Sequence, residues 1–240
     1  MKILYLHIIA LCASIAHLSA QIQSVEMYGS GIQSVGKRFQ VTEAAAFGGG
    51  VKLHIVVMPN VVLTINGGFS QYSIEQTDEV KQWGWTIWER RYRNWVSIYS
   101  SDTANFSSRV VSVQSMESLP ISVSLGYQFE VTPDLVVRPS VGAGIEFYTR
   151  KLYHEETWTR KFPADEYQFT YTYHNFAPYK YGNPLFMTAA VAARYSVTRL
   201  LALHADVSYA ATMETKGQFG YDNYPLSGIA LVSIGIGFNY

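Results

Sequence analysis

The segment 228-GIALVSIGIGFNY-240 decides the fold, because apolar and small residues alternate along its whole length. Every second residue from Tyr240 back to Ala230 is apolar or aromatic. The residues between them are Asn239, Gly237, Gly235, Ser233 and Leu231. Successive side chains of a β-strand point to opposite faces, so this period of two predicts a strand whose two faces meet different surroundings.

The same alternation recurs upstream and predicts an all-β chain. Five further strands are predicted at residues 50–57, 121–129, 137–147, 185–196 and 201–210. Two weaker ones, at residues 22–35 and 61–72, bring the total to eight.

The connections between these strands also alternate, here in length. Tight turns are predicted at residues 58–60, 131–134 and 198–199, and longer excursions at 36–43, 75–108, 152–183 and 213–227. An even number of strands joined in this way predicts an eight-stranded antiparallel up-and-down transmembrane β-barrel, with short periplasmic turns and long extracellular loops.

The composition of the two strand faces indicates which one points inward. A soluble, lipocalin-like barrel turns its apolar face in and a charged face out. Here the non-apolar face is mostly Gly, Ser, Ala and Thr, which suits the narrow lumen of an eight-stranded barrel better than a solvated surface. The apolar face is therefore expected to meet lipid.

The N-terminus, 1-MKILYLHIIALCASIAHLSAQ-21, has the layout of a secretory signal peptide. Lys2 precedes an apolar run that is too short to span a membrane, and small residues lead up to Ala20. We therefore expect residues 1–20 to be a signal peptide and residues 21–240 to be the barrel domain. Cleavage would remove Cys12, the only cysteine, and with it any disulfide or thiol chemistry.

Charge and composition narrow the function classes. The chain has 18 basic and 18 acidic residues, and a near-neutral balance argues against a nucleic-acid partner. Only 15% of the residues are charged and 15% are aromatic, as expected of a sheet with one apolar face. The sequence suggests no cofactor.

Two segments carry a resemblance to a known family. 119-LPISVSLGYQF-129 and 138-RPSVGAGIEFY-148, joined by a turn, resemble the central hairpin of the small bacterial outer-membrane β-barrels of OmpA-barrel and OmpX type. The C-terminal strand ending at Tyr240 resembles the signal read by the barrel-insertion machinery. The resemblance implies a place in the bacterial outer membrane among lipid and lipopolysaccharide. It leaves open a narrow passage of OmpW type and an accessory role in secretion or assembly of PorT type.

Strand parity predicts a polar network in the lumen. Charged groups there must pair, because an unpaired buried charge costs several kcal/mol. The residues are Glu26, Lys52, His54, Arg138, Glu146, Arg194, His204 and Asp206. An ion-paired plug is the main interpretation, and a gated polar path is the alternative.

Catalytic and metal chemistry are not expected. His204, Asp206 and Ser208 share a face, but alternate residues of one strand stand about 7 Å apart, too far for a Ser–His hydrogen bond. His154 and His174 lie in one loop without a recognised ligand spacing. We therefore expect no enzyme and no metal site.

The two longest loops are rich in aromatic residues. Strict alternation in Tyr167–Tyr173 predicts a strand that continues beyond the membrane, and Trp83, Trp85 and Ile87 show the same spacing. We expect the two extensions to pair into an extracellular ledge. Its residues are Trp83, Trp85, Trp88, Arg90, Arg91, Arg93, Trp95, Trp158, Tyr167, Phe169, Tyr171 and Tyr173. The ledge either packs the loops together or binds a surface ligand or partner protein, and its arginines could hold lipopolysaccharide phosphates.

Overall fold

The computed structural model describes residues 21–215 and 221–240, and antiparallel strands dominate this part of the chain. The predicted signal peptide, residues 1–20, lies outside it. The strands are β1 (Gln21–Lys37), β2 (Val41–Met58), β3 (Val61–Gln76), β4 (Phe106–Tyr127), β5 (Phe129–Glu130), β6 (Leu135–Phe162), β7 (Tyr167–Phe176), β8 (Lys180–Gly182), β9 (Leu185–Ser196), β10 (Leu201–Thr212) and β11 (Leu226–Asn239).

Eight of these strands form a closed ring. They pair in the order β1, β2, β3, β4, β6, β9, β10 and β11, and β11 pairs with β1 again. Each pairing is antiparallel, so the predicted eight-stranded antiparallel barrel is confirmed. Closure satisfies the backbone hydrogen bonds that an open sheet would leave unpaired at its edges.

Helical elements lie in the β3–β4 connection and at two shorter loops. The β3–β4 connection contains α1 (Glu79–Trp83), a π-helical turn (Trp88–Tyr92) and α2 (Arg93–Ser101). Short 3-10 turns occur at Pro163–Asp165 and Tyr221–Asn223. No helix in the described ranges is long and apolar enough to span a membrane.

The ends of the barrel differ in the length of their connections. The three turns at the end nearest the C-terminus are short, as predicted, and we call this the turn end. At the opposite, loop end, one prediction is wrong. The predicted long excursion at residues 36–43 is a connection of only three residues, Arg38 to Gln40, because β1 and β2 continue further than the sequence pattern indicated.

Side-chain exposure shows which face of the barrel is apolar. On β11, Val232 and Ile234 are 55% and 68% exposed, whereas Ser233 between them is 1% exposed. The apolar face therefore points outward and the small polar face inward, the reverse of a soluble barrel.

Two aromatic girdles bound the outward apolar face. Near the turn end the exposed aromatic residues are Tyr127, Phe129, Tyr195, Phe238 and Tyr240, and toward the loop end they are Phe47, Phe69, Phe147 and Tyr209. Along β4 the apolar face runs from Tyr127 to Leu119, about 27 Å of strand. Allowing for strand tilt, this length suits a hydrocarbon layer.

Beyond the girdle at the loop end, the outward face becomes polar and apolar side chains point inward. On β3, Gln71, Ser73 and Glu75 point outward, whereas Tyr72 and Ile74 are buried inside the barrel. An outward Glu117–Lys151 ion pair of 2.5 Å lies on β4 and β6 at the same level. The strands thus continue past the lipid-facing band as a barrel with a polar exterior and with apolar and aromatic side chains in its interior.

Candidate functional site

The lower lumen holds a layer of charged and histidine side chains, which we call the polar layer. Its residues are Glu26, Lys52, His54, Arg138, Arg194, His204 and Asp206. The barrel brings them together because all seven occupy inward positions near the same level of five strands, β1, β2, β6, β9 and β10. For example, Glu26 of β1 is paired with Lys52 of β2 on one side and Gly237 of β11 on the other.

Glu26 is the centre of the polar layer. Its carboxylate lies 2.9 Å from His54 Nε2, 3.3 Å from Arg194 Nε and 3.6 Å from His204 Nδ1. Arg138 Nη1 lies 2.7 Å from His54 Nδ1, which places a second guanidinium against the same cluster. One buried carboxylate therefore compensates several buried nitrogen groups.

Asp206 holds the other side of the polar layer. It pairs with Lys52 and accepts a hydrogen bond from the Ser233 hydroxyl. A cavity of about 110 Å³ lies among these residues, large enough and polar enough for several waters. His204, Asp206 and Ser208 do not form a catalytic relay, since His204 lies against Glu26 and Asp206 is bonded to Lys52 and Ser233.

Glu146 lies apart from the other seven predicted lumen residues. It accepts hydrogen bonds from the Ser118 hydroxyl and, at 2.5 Å, from the Tyr224 hydroxyl. Tyr224 belongs to an apolar cluster, the tyrosine layer, that fills the barrel above the polar layer. Its members are Ile32, Val41, Ala44, Ala46, Tyr72, Ile74, Met116, Tyr148, Tyr221, Tyr224 and Leu226. This layer was not predicted from the sequence.

Arg150 of β6, which was not predicted as a site residue from the sequence, also points into the barrel, on the loop side of Glu146. It is 2% exposed and donates hydrogen bonds of 2.8 Å to both Gln76 and Gln114. Its guanidinium also lies 4.8 Å from the ring of Trp83, at the end of α1. Side chains therefore occupy the barrel interior from the polar layer to the loops, apart from a cavity of about 90 Å³ beside Glu146.

The prediction of a strand at Trp83–Ile87 is wrong, because this part of the chain is helical. Trp83, Trp85 and Trp88 are about 5% exposed and pack with Leu152 and Ala177 over the barrel mouth. The Trp83 indole donates a hydrogen bond of 2.9 Å to the Pro178 carbonyl. We call this buried cluster of Trp83, Trp85, Trp88, Leu152 and Ala177 the loop cap. The three tryptophans therefore belong to the loop cap and not to an exposed ledge.

The prediction of a strand at Tyr167–Tyr173 is confirmed. It lies in β7, which pairs with the outer part of β6, while β4 pairs with the other side of β6. The three strands form a sheet beyond the lipid-facing band. One face of this sheet is polar, with hydrogen bonds between Thr157 and Thr172 and between Thr159 and Thr170.

Helix α2 packs against the other face and leaves a groove of about 590 Å³, which we call the aromatic groove. Its residues are Tyr92, Trp95, Val96, Tyr99, Phe106, Trp158, Arg160, Tyr171 and Tyr173. Trp95 is 58% exposed and stacks on Tyr99, whereas Trp158 forms the buried floor. Of the predicted ledge, Tyr167 and Phe169 lie further along β7 and are exposed, as are Arg90, Arg91 and Arg93 on the helices.

Glu156 fixes the floor of the aromatic groove. Its buried carboxylate accepts hydrogen bonds from the Tyr92 hydroxyl at 3.0 Å, the Tyr173 hydroxyl at 2.5 Å and the Trp158 indole at 3.0 Å. Burial raises the pKa of this carboxyl, although the hydrogen bonds from Trp158 and Asn175 oppose the rise. One side chain of β6 therefore joins the π-helical turn before α2, through Tyr92, to β7, through Tyr173.

The outward apolar band, the two girdles and the filled polar interior together decide what kind of barrel this is. A soluble barrel would expose tens of apolar side chains to water in this arrangement, whereas a bilayer accommodates them. The chain has the fold of a small bacterial outer-membrane β-barrel.

Comparisons with known proteins find similar architectures at low sequence identity. No family model matches the chain, and no curated protein matches it by sequence. Neisserial surface protein A is 10% identical over 90% of this chain and 96% of its own, with a TM-score of 0.44. A major outer membrane protein of Thermus thermophilus is 11% identical over 90% and 99%, with a TM-score of 0.43. Ail of Yersinia pestis is 10% identical over 91% and 97%, with a TM-score of 0.38.

The histidines of the loops stand in different surroundings. His174 lies 3.5 Å from Glu155 on the sheet surface, whereas His154 is buried among the cap tryptophans. Within residues 21–215 and 221–240, no group of three His, Cys, Asp or Glu side chains is close enough to hold a metal ion.

Proposed function

We propose that the protein is a non-enzymatic barrel of the bacterial outer membrane that binds a surface ligand in its aromatic groove. With the short turns toward the periplasm, the loop end and its groove face the outside of the cell. The observation that carries the proposal is the groove itself: exposed aromatic side chains on a rigid floor, held outside the lipid-facing band.

The composition of the groove supports binding rather than loop packing alone. Trp, Tyr and Arg contribute most of the binding energy at protein interfaces, and all three line this groove. Trp95 and Tyr171 remain 58% and 43% exposed although they pack on neighbours, so they can still bury area against a ligand. Because Glu156 already holds the floor by hydrogen bonds from Tyr92, Trp158 and Tyr173, little ordering of these side chains is needed on binding, which lowers its entropic cost.

The arginines favour an anionic ligand. Arg160 lines the groove and Arg90, Arg91 and Arg93 are exposed on the adjoining helices. Guanidinium groups bind carboxylate, sulfate and phosphate in a bidentate manner. Lipopolysaccharide phosphates and acidic surface glycans are therefore the first ligands to test.

The lumen gives less support to a transport function. The tyrosine layer and Arg150 fill the barrel above the polar layer. Below them the two lumen cavities measure about 110 and 90 Å³, smaller than the pockets of several hundred Å³ that hold drug-sized molecules.

The groove is tested by replacing its exposed rings. We expect Trp95→Ala with Tyr171→Ala to weaken binding to lipopolysaccharide or acidic glycans at least tenfold, as loss of a hot-spot pair should. Binding is measured on a glycan array and by titration with lipopolysaccharide. Tyr181→Ala is the matched control, because Tyr181 is 76% exposed on β8, outside the groove. Equal binding by the double variant and the control would contradict the proposal.

A further inference from the structure

A second cleft, separate from the aromatic groove, opens beside α1 and contains an unpartnered buried histidine. His154 is 2% exposed, and neither ring nitrogen has a hydrogen-bond partner among the described residues. Its ring lies 5.0 Å from Trp85 and 4.0 Å from Trp88, centroid to centroid. A phenylalanine would make these contacts without the penalty of an unsatisfied buried polar group. The two unpartnered nitrogens therefore indicate that a ligand binds beside His154.

A carboxylate lies next to this histidine. His154 and Ser112 are directly opposite each other on β6 and β4, which sets their Cβ atoms about 5 Å apart. The Ser112 hydroxyl donates a hydrogen bond to Glu79 of α1. Burial lowers the pKa of His154, against the opposing effect of Glu79, so at neutral pH the imidazole is uncharged and can accept a hydrogen bond.

The remaining walls of the cleft are apolar near His154 and charged at the rim. Trp88, Val80 and Val110 line a volume of about 480 Å³. The rim carries Asp78 and Glu89 together with Lys81 and Arg93, so acidic groups outnumber basic ones once Glu79 is included. Since no three potential metal ligands in the described ranges converge, the acidic groups suit an extended cation better than a single ion.

We propose that this cleft binds a linear aliphatic diamine. One ammonium group donates hydrogen bonds to the Glu79 carboxylate and to the acceptor nitrogen of His154. The methylene chain packs on Val80 and Val110, and the Trp88 ring adds a cation–π contact. The second ammonium group reaches Glu89 at the rim. Binding gives the acceptor nitrogen of His154 a hydrogen-bond partner, which a purely structural role would leave without one.

The test is a titration of the purified protein in detergent micelles with putrescine, followed by tryptophan fluorescence and calorimetry. We expect saturable binding to the parent protein and at least tenfold weaker binding to His154→Phe and to Glu79→Gln. His154→Phe should melt at the same or a higher temperature, because it keeps the ring contacts and removes the unsatisfied nitrogens. Glu155→Gln is the matched control, since Glu155 lies on the opposite face of β6 and is exposed.

Several results would overturn the proposal. They are absence of saturable putrescine binding, unchanged binding in both variants, equal affinity for 1,4-butanediol or for propylamine, and preferential binding of inorganic phosphate. Glu79→Gln decides the matter by itself if His154→Phe does not fold, because Glu79 lies at the surface of the loop cap. Loss of glycan or lipopolysaccharide binding in the groove variants would leave this test unaffected.

Discussion

Replacing Glu26 by alanine should destabilise the barrel by about 3–5 kcal/mol, the cost of breaking a buried ion pair from one side. The carboxylate lies within 3.6 Å of nitrogen atoms of His54, Arg194 and His204. Its removal leaves the buried Arg194 guanidinium without its ion-pair partner, because Asp206, the other acidic residue of the polar layer, is already paired with Lys52. The free energy of unfolding is measured by urea titration of the protein in lipid vesicles.

Two further variants separate the network from a general loss of contacts. Glu26→Ala with Arg194→Ala should cost less than the sum of the single changes, because the double variant removes an uncompensated charge. Glu43→Ala, an exposed position on β2, should change the free energy of unfolding by no more than about 0.5 kcal/mol. A Glu26→Ala effect as small as that of Glu43→Ala would show that the polar layer does not stabilise the barrel.

Replacing Gly235 by valine should prevent the barrel from closing, or destabilise it by about 3 kcal/mol or more. A Cβ atom at this inward position would lie 2.0 Å from the Met27 carbonyl oxygen and 2.5 Å from His204 Cε1. The first of these is a backbone atom of the adjacent strand, which cannot rotate away. The lumen at this level has room for no side chain on β11.

Gly31→Val is the matched control for this experiment. Gly31 points outward on β1, and a Cβ atom there would meet nothing within 4 Å. The added apolar side chain should be neutral or slightly stabilising in lipid. Folding yield by far-UV circular dichroism and urea titration compares the two variants. Similar folding of both would contradict the close approach of β1 and His204 to Gly235, and a defect confined to Gly31→Val would mean that the inward and outward faces are reversed.

The strands that cross the lipid-facing band could be read from the sequence because each face there has one kind of neighbour. On β11 the outward residues are apolar and the inward residues are Gly and Ser, so a period of two is unmistakable. Beyond the girdle at the loop end, the outward face is polar and the apolar residues, such as Tyr72 and Ile74, point inward. Along one strand, the apolar residues therefore change from outward to inward positions, and the period-two pattern breaks at the change. The break was interpreted as the end of β1 and the beginning of β2, although both strands continue beyond it.

The helical segment between β3 and β4 was predicted wrongly for a different reason. Trp83, Trp85 and Ile87 are spaced as in a strand, but a helical pattern runs through the same segment. Trp85, Trp88, Tyr92, Val96 and Tyr99 follow steps of three and four residues, which predict a helix with one apolar face. This longer pattern carries the correct signal, and it also identifies Tyr92, Val96 and Tyr99 as groove residues that the prediction missed.

Other site residues could not be found from sequence because distant parts of the chain build their surroundings. Glu156 and Arg160 alternate with threonines on β6 and resemble ordinary surface residues in the sequence. Glu156 becomes buried because the π-helical turn that carries Tyr92 and the strand β7 that carries Tyr173 both pack over it. Lumen residues such as Arg194 were accessible to prediction, because strand parity alone decides which way they point.

The central claim is that the apolar face of the barrel meets lipid, and site-directed fluorescence tests it most directly. Single cysteines are introduced along β10. The outward positions are Leu203, Ala205 and Val207, and the inward positions are Ala202 and Ser208. Each is labelled with a small environment-sensitive fluorophore, and the protein is folded into vesicles that contain a quencher attached to the lipid acyl chains. We expect strong quenching at the three outward positions and little at the two inward ones. Quenching that fails to alternate, or that is strongest at the inward positions, would contradict a membrane-spanning barrel with its apolar face toward lipid.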